Sequence, residues 1–257
     1  MKRIPANHPK AWWVGECTPI AQATAAARSA IPAAVPVQRA ARTMARVDPR
    51  ALRVYVVTSA RFAGRSHRDV AMAALVGGAG AIQLRAPDLP DDELIAVGST
   101  LARASADADV LFVVNDRPEI AVTVGAGGAH VGHGDDPSEA RRLLGPDRVL
   151  GMSVDAASQA REAEDVGADY VGVTVWATPT KPEAVPGGLA LVRAISASTS
   201  LPIVGIGGID ATNAASVIDA GAAGVAVISA VAAAPDPIEA TRELVRVVDR
   251  ALEGRGG

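Results

Sequence analysis

The stretch PIVGIGGIDATNAASVIDAGAAGVAVIS, residues 202–229, decides the fold. It contains two short apolar runs, 202–206 and 224–228, with the composition of buried parallel strands. An Ala-rich segment of helical composition joins them. Gly207-Gly208 follows the first run, and Ser229 follows the second. The stretch therefore predicts a strand, helix, strand unit with functional groups at the strand ends.

The same pattern recurs from Leu52 onward, which predicts consecutive βαβ units and a parallel sheet. We expect eight strands, at 53–58, 81–85, 110–115, 129–132, 149–153, 170–174, 202–206 and 224–228. We expect helical stretches between them, among them 68–75, 91–104, 138–144, 158–166 and 211–219.

Eight βα units in about 205 residues match a single (β/α)8 TIM barrel at the compact end of its size range. An open, doubly wound α/β sheet is the alternative. Two features favour the barrel: no Gly-x-Gly-x-x-Gly motif follows the first strand, and polar residues recur after nearly every strand instead of at one switch point. In a barrel these strand ends meet at one face, where the active site of this fold lies.

The composition limits the class of protein. The 257 residues, 49% of them hydrophobic, can bury a large core, and the formal net charge of −3 gives no reason to expect a nucleic-acid partner. We expect no membrane partner, because no apolar run approaches the length of a membrane span. The single Cys17 excludes an intramolecular disulfide, and the sequence has no Cys/His ligand set for zinc. We expect a cytoplasmic protein, and a homo-oligomer is left open.

Residues 1–50 differ from the barrel region, 51–257. They are rich in Ala, Arg and Pro, with Glu16 and Asp48 as their only acidic residues. We expect an N-terminal extension that packs poorly and is dispensable, with Met44 as a candidate for the true start. A packed arm or oligomer contact is one alternative, and a targeting segment is another.

Two carboxylates follow neighbouring strands of the predicted barrel. Asp116 comes directly after the run 110–115, and Asp135 comes shortly after 129–132. Both should therefore lie at the same mouth. Mg²⁺ is usually held by one or two carboxylates, with water and substrate phosphates completing its octahedron. The pair predicts a Mg²⁺ site below a phosphorylated substrate, although an aspartate at either place could instead cap the helix that follows.

Polar side chains on strands 2, 3 and 5 extend this site. Gln83 and Arg85 alternate with apolar neighbours, so both should face the barrel mouth. A diphosphate would satisfy Arg85, for which a structural ion pair is the alternative. Asn115 ends strand 3, and Ser153 ends strand 5.

The loops after strands 6, 7 and 8 predict a phosphate site. Glycines let backbone N–H groups approach an anion closely, and the loops after strands 7 and 8 are the usual phosphate site of such barrels. Strand 6 is followed by hydroxyls and an ammonium group suited to phosphate oxygens. The residues are Thr178, Thr180, Lys181, Gly207, Gly208, Ile228 and Ser229. Tight loop packing and a solvated Pro-Thr turn are the structural alternatives.

Two histidines belong to strand 4 and the loop after it. His133 lies just beyond the strand and is a candidate substrate contact. His130 lies within the apolar strand, where a structural histidine is the more usual interpretation.

Nine ordered segments of this chain resemble the thiamine-phosphate synthase family over roughly residues 53–250. They are VVT at 56–58, IQLR at 82–85, VNDR at 114–117, HVG at 130–132 with Asp135, GMS at 151–153, GADYVG at 167–172, TPTK at 178–181, IGGI at 206–209 with Asn213, and ISA at 228–230.

The resemblance implies a Mg²⁺-dependent transferase that couples hydroxymethylpyrimidine diphosphate with thiazole phosphate, giving thiamine monophosphate and pyrophosphate. In such enzymes the diphosphate leaves first, and the thiazole nitrogen captures the resulting pyrimidine carbocation. The implied ligands of Mg²⁺ are Asp116 and Asp135. The diphosphate would contact Arg85, Asn115, Ser153 and Lys181, the pyrimidine Gln83, and the thiazole phosphate Thr178, Thr180, Gly208, Ile228 and Ser229.

Three positions depart from the family pattern. Pro87 stands where Lys is usual, Val173-Thr174 where Gly-Pro is common, and His133 where Gln is common. The first departure removes one cation from the diphosphate site. Two alternatives follow: a thiazole tautomerase, which uses a His after strand 5 where this chain has Asp155, and a non-catalytic phosphate-binding barrel.

Overall fold

The structure, a computed structural model, describes residues 47–60, 62–178 and 185–255. Its centre is a closed barrel of eight parallel strands, each paired with its neighbour in the chain, and β1 also pairs with β8. The strands are β1 (Val54–Val57), β2 (Ala81–Leu84), β3 (Leu111–Asn115), β4 (Gly128–Val131), β5 (Val149–Ser153), β6 (Tyr170–Thr174), β7 (Ile203–Ile206) and β8 (Gly224–Val227). The predicted (β/α)8 barrel is confirmed, and every strand end lies within one residue of its predicted place.

Helices follow the strands and form the outer layer. They are α1 (His67–Gly77), α2 (Asp91–Asp107), α3 (Pro118–Thr123), α4 (Pro137–Leu144), α5 (Ala157–Asp165), α6 (Gly188–Ser196), α7 (Ala214–Asp219), the short α8 (Ser229–Ala232) and α9 (Pro237–Arg255). A 3-10 turn, Pro49–Leu52, precedes β1.

Helix α7 begins later than the predicted 211–219. The Asp210 carboxylate accepts hydrogen bonds from the backbone N–H and the hydroxyl of Thr212, at 2.8 and 2.6 Å, which closes a turn before the helix. Aspartate commonly competes with helix in this way. The prediction of a helix start at residue 211 was therefore wrong by three residues.

Alternate residues of each strand face opposite sides of the barrel wall. Val54 and Val56 pack outward against the helices, whereas Tyr55 and Val57 belong to a second apolar cluster inside the barrel. Tyr170 belongs to the inner cluster too. The interior is therefore a packed core below the mouth, and the cavity above that core is open to ligands.

The predicted N-terminal extension covers residues 1–50. Its residues 1–46 lie outside the described residues, and residues 47–50 are described. Within the described part, Asp48 accepts a hydrogen bond from the N–H of Arg50, which begins the 3-10 turn. Val47 and Leu52 are 7% and 0% exposed and belong to the inner cluster. The described end of the segment thus closes the barrel opposite the mouth. Among the described residues, no helix is both long and apolar enough to cross a membrane.

Candidate active site

A cavity of about 490 Å³ opens at the carboxyl ends of the strands. Its size suits a small-molecule ligand. Every predicted site residue that the structure describes lines it: Gln83, Arg85, Asn115, Asp116, His133, Asp135, Ser153, Thr178, Gly207, Gly208, Ile228 and Ser229. Thr180 and Lys181 lie outside the described residues.

Asp116 is held in an unusual backbone conformation at the end of β3. Its φ is +58°, in the left-handed region that few residues other than glycine adopt, although Asp is among those that tolerate it. The N–H of Asp116 donates to the carbonyl of His130 on β4 at 2.8 Å, and its side chain accepts from the Asn115 amide at 2.5 Å. Backbone strain of this kind concentrates at functional sites.

The carboxylates of Asp116 and Asp135 lie together at the mouth. A Cβ placed on Gly132 would lie 3.6 Å from Oδ1 of Asp116 and 3.8 Å from Oδ2 of Asp135. Partial burial of its carboxylate in the cavity raises the pKa of Asp116, and the nearby Asp135 raises it further, whereas Arg85 lowers it. The predicted neighbours on strands 3 and 4 thus form one acidic pair.

Neither carboxylate of this pair caps a helix. Helix α3 begins after Arg117, which makes no side-chain cap, and Pro118 occupies its first turn. Asp136 caps α4 by accepting from the N–H groups of Ser138 and Glu139. Asp136 therefore satisfies the helix end, and the neighbouring Asp135 is left at the mouth.

The acidic pair has the donor chemistry of a hard divalent cation. No cluster of three or more His, Cys, Asp or Glu side chains suited to a metal occurs in residues 47–60, 62–178 and 185–255. Mg²⁺ needs only one or two carboxylates when substrate phosphates supply further oxygens. A cation between the pair would also offset the repulsion that raises the pKa of Asp116. The residues present thus fit Mg²⁺ bound together with a phosphorylated ligand.

Arg85 supplies positive charge to the same side of the cavity. It makes no ion pair with any carboxylate in the described part of the chain. The structural ion pair considered as an alternative is therefore not formed there. Its backbone N–H donates to the Thr58 hydroxyl at 3.3 Å, and that hydroxyl lies 2.9 Å from Nδ1 of His67.

Tyr55, Tyr170 and His130 lie on the cavity floor, and sequence reasoning did not place the two tyrosines in the site. The tyrosine hydroxyls are 2.9 Å apart, and Gln83 donates to Tyr55 at 3.0 Å. His130 lies 3.1 Å from the Tyr170 hydroxyl and 3.0 Å from the Ser153 hydroxyl. The strand alternation could have indicated the place of Tyr55, because Tyr55 lies two residues before Val57 in β1 and therefore faces the same side of the barrel wall.

The glycine loop after β7 is shaped by close contact with the chain after β6. Gly207 has a φ of +95°, and a Cβ there would lie 2.4 Å from the carbonyl oxygen of Trp176. Asn213 fixes the loop by donating to the carbonyl of Gly208 at 2.9 Å and accepting from the N–H of Asp210 at 3.0 Å. This loop needs glycine for both conformation and space.

His133 lies at the rim of the cavity, paired with Asp155. Its Nε2 is 3.0 Å from Oδ2 of Asp155, and both side chains are 41% exposed. The predicted substrate contact is thus positioned to reach a ligand. Asp155 stands at the place where a tautomerase would have its histidine, and here it holds His133 instead.

The barrel order separates two groups of cavity-lining residues. Arg85, Asp116 and Asp135 belong to the ends of β2, β3 and β4, and Gly208 and Ser229 follow β7 and β8. In a closed eight-stranded barrel β3 and β4 lie opposite β7 and β8. One side of the mouth carries charged side chains, and the other carries glycines and a hydroxyl at a short helix.

The fold and the cavity at the carboxyl ends of the strands place this protein in the (β/α)8 barrel class. The sequence model described as thiamine monophosphate synthase matches residues 54–231. The chain belongs to that family.

Known proteins give the same result. A thiamine-phosphate synthase from Roseiflexus sp. strain RS-1 is 50% identical over 79% of this chain and 87% of its own length. A thiamine-phosphate synthase from Moorella thermoacetica is 49% identical over 76% of this chain and 95% of its own. A solved structure, that of a thiamine phosphate pyrophosphorylase from Pyrococcus furiosus, is 38% identical in sequence to this chain. The match covers 79% of this chain and 98% of that structure, with a TM-score of 0.74.

Proposed function

We propose that this protein is a transferase that couples hydroxymethylpyrimidine diphosphate with thiazole phosphate, giving thiamine monophosphate and pyrophosphate. The observation that carries the proposal is that Arg85 with its polar neighbours and the glycine loop with Ser229, two groups suited to anions, line opposite sides of one cavity. A reaction between two phosphorylated substrates needs both regions, with the reacting atoms meeting between them.

The side formed by β2 to β5 would hold the diphosphate. Arg85 offers a guanidinium suited to phosphate oxygens, and Asn115 and Ser153 offer an amide and a hydroxyl. Lys181 would add a second cation. Gln83, which is 5% exposed on the floor, would contact the pyrimidine ring.

Asp116 and Asp135 would hold Mg²⁺ beside this diphosphate. Bound there, the cation would supply positive charge to neutralise a leaving diphosphate. The support for this assignment is the acidic pair itself and the raised pKa of Asp116.

The glycine loop and the start of α8 would hold the phosphate of the thiazole. Gly207, Gly208 and Ser229 line that side, with Thr178 at its edge. Backbone N–H groups freed by glycine bind phosphate without a counter-charge. Asn213 keeps the loop in place through Gly208.

The reaction then needs little acid–base chemistry. The bond between the pyrimidine methylene carbon and the diphosphate oxygen breaks, and the electron pair leaves with pyrophosphate. The thiazole nitrogen donates its lone pair to the resulting carbocation and forms the new C–N bond. The residues bind, orient and stabilise charge, which is where most catalytic stabilisation arises.

The tautomerase and non-catalytic alternatives receive no supporting observation. The acidic pair that a synthase needs is assembled, and Asp155 contacts His133. Pro87 still stands where the family usually has Lys, so we expect a diphosphate site with one cation fewer. The proposal keeps the expected cytoplasmic location, for which the sparse cysteine content is the support.

Incubating the purified protein with both precursors and Mg²⁺, with either precursor omitted as the control, tests the proposal. We expect thiamine monophosphate and pyrophosphate in equal amounts only when both precursors are present. Binding of both precursors without any product would exclude the synthase and leave the non-catalytic barrel.

A further inference from the structure

We infer that binding of an amine-bearing ring at Gln83 and binding of a diphosphate at Ser153 are coupled. Three positioning residues would couple them by joining Gln83 to Ser153 in one hydrogen-bond chain: Tyr55, Tyr170 and His130. The identities of these two ligands rest on the proposed function. The hydrogen-bonded side chains that would carry the coupling are a feature of the structure.

The middle of this hydrogen-bond chain is fully enclosed. Tyr55 and Tyr170 are each 1% exposed, and their hydroxyls are 2.9 Å apart. Burial raises the pKa of both phenols, so both keep their protons near neutral pH. Each phenol therefore has a single proton to donate, and its direction is set by its neighbours.

The direction of one hydrogen bond determines all the others. Gln83 donates its amide N–H to Tyr55, and the arrangement that then gives every buried proton an acceptor directs the Tyr55 proton to Tyr170. Tyr170 then donates to Nδ1 of His130, which leaves the imidazole proton on Nε2, where it is donated to Ser153. Reversing any member requires the Gln83 amide to turn over and the imidazole proton to move to Nδ1.

The two ends therefore present complementary groups to the cavity. With its side-chain N–H directed at Tyr55, Gln83 offers its side-chain oxygen, Oε1, to which no described residue donates. In this arrangement Ser153 accepts from His130, its only hydrogen-bond partner among the described residues, and its own proton is directed at a phosphate oxygen in the cavity. An aromatic amine at one end and a phosphate at the other both favour this same direction.

The barrel makes room for this hydrogen-bond chain at two glycines. A Cβ on Gly151 would lie 2.2 Å from the Tyr170 ring, and a Cβ on Gly172 would lie 3.1 Å from the imidazole of His130. Both rings thus occupy space that a larger residue on β5 or β6 would fill. Their positions are fixed by packing as well as by hydrogen bonds.

Calorimetric titration with two separate probes tests the coupling. The probes are the unphosphorylated hydroxymethylpyrimidine, for the Gln83 end, and pyrophosphate with Mg²⁺, for the Ser153 end. We expect each probe to tighten binding of the other by about fivefold or more, as coupled sites commonly do. In Tyr170→Phe and in Tyr55→Phe the coupling should fall below about twofold, while pyrophosphate alone binds with nearly wild-type affinity.

Ser105→Ala is the matched control. It removes a hydroxyl that is buried, has no hydrogen-bond partner among the described residues and does not belong to this hydrogen-bond chain. It should keep the wild-type coupling. Persistent coupling in both tyrosine variants, or its absence from the wild type while product still forms, would overturn this inference alone. Failure of the wild type to bind either probe or to form product would overturn the proposed function as well.

Discussion

The carboxylate of Asp116 lies beside that of Asp135, and Asp116 adopts a left-handed backbone conformation, φ +58°, directly after β3. An extended residue there would continue the line of the strand. The turn instead brings the two acids together at the mouth, where burial and the neighbouring Asp135 raise the pKa of Asp116.

Asp116→Asn should remove most turnover and raise the Mg²⁺ concentration needed for the remainder. It should leave thiazole phosphate affinity nearly unchanged, because that phosphate would lie across the barrel. Steady-state rates over a Mg²⁺ series, with calorimetry for thiazole phosphate, measure both effects.

Asp136→Asn is the matched control, since Asp136 caps α4 at 2.9 and 3.2 Å and does not belong to the acidic pair. It should cost at most about 1 kcal/mol of stability and keep turnover. Normal turnover of Asp116→Asn at low Mg²⁺ would show that the metal assignment is wrong.

Lys181→Ala should slow turnover by at least about tenfold, equivalent to about 1.4 kcal/mol of barrier. The reason is that Pro87 leaves Arg85 and Lys181 as the cations expected at the diphosphate. Pro87→Lys should be neutral or should raise the rate. A rate for Lys181→Ala within twofold of wild type would remove Lys181 from the site.

Acidification should destabilise the fold through His67. Burial lowers the pKa of His67 in the folded protein below its ordinary value, so the unfolded chain binds the proton more readily. The resulting stability is fully present above about pH 6.5 and is lost as pH falls through the lowered folded-state pKa. Urea unfolding between pH 7.5 and 5 should show a smaller decrease for His67→Gln than for wild type. Equal decreases in both proteins would count against this role.

Removing residues 1–43, so that Met44 is the start, should preserve fold and activity. The described residues that close the barrel, Val47 and Leu52, remain in the shortened chain. Thermal unfolding and turnover of both lengths give the comparison. A fall in melting temperature of more than about 5 °C, roughly 1 kcal/mol or more, would show that the removed segment packs on the barrel.

Leu52→Ala in the shortened protein checks that this measurement detects losses at the barrel bottom. Leu52 is fully buried, so its truncation should cost about 2–5 kcal/mol.

The barrel could be predicted because each strand is a short apolar run followed at once by polar residues. β5 and β6 were predicted to the residue for this reason. The start of α7 was misplaced because the turn at Asp210 has a composition compatible with helix. Local side-chain hydrogen bonds of this kind compete with helix and leave little trace in periodicity.

The parts of the site that sequence reasoning missed depend on packing between distant strands. Tyr55 and Tyr170 meet although 115 residues separate them, and this contact requires the closed barrel. The backbone of Asp116 is similarly hidden, because an aspartate after a strand is compatible with a helix cap, a turn or a left-handed residue. The capping alternative for Asp135 could be set aside only once Asp136 was seen to cap α4.

The most direct test of the central claim is the initial rate of thiamine monophosphate formation from the two precursors, measured with Mg²⁺ and with excess chelator. The proposed acidic pair and diphosphate site predict rapid product formation with Mg²⁺, equimolar pyrophosphate, and a rate at least about a hundredfold lower in chelator, equivalent to about 2.7 kcal/mol of barrier. The same rate in chelator as in Mg²⁺ would contradict the account.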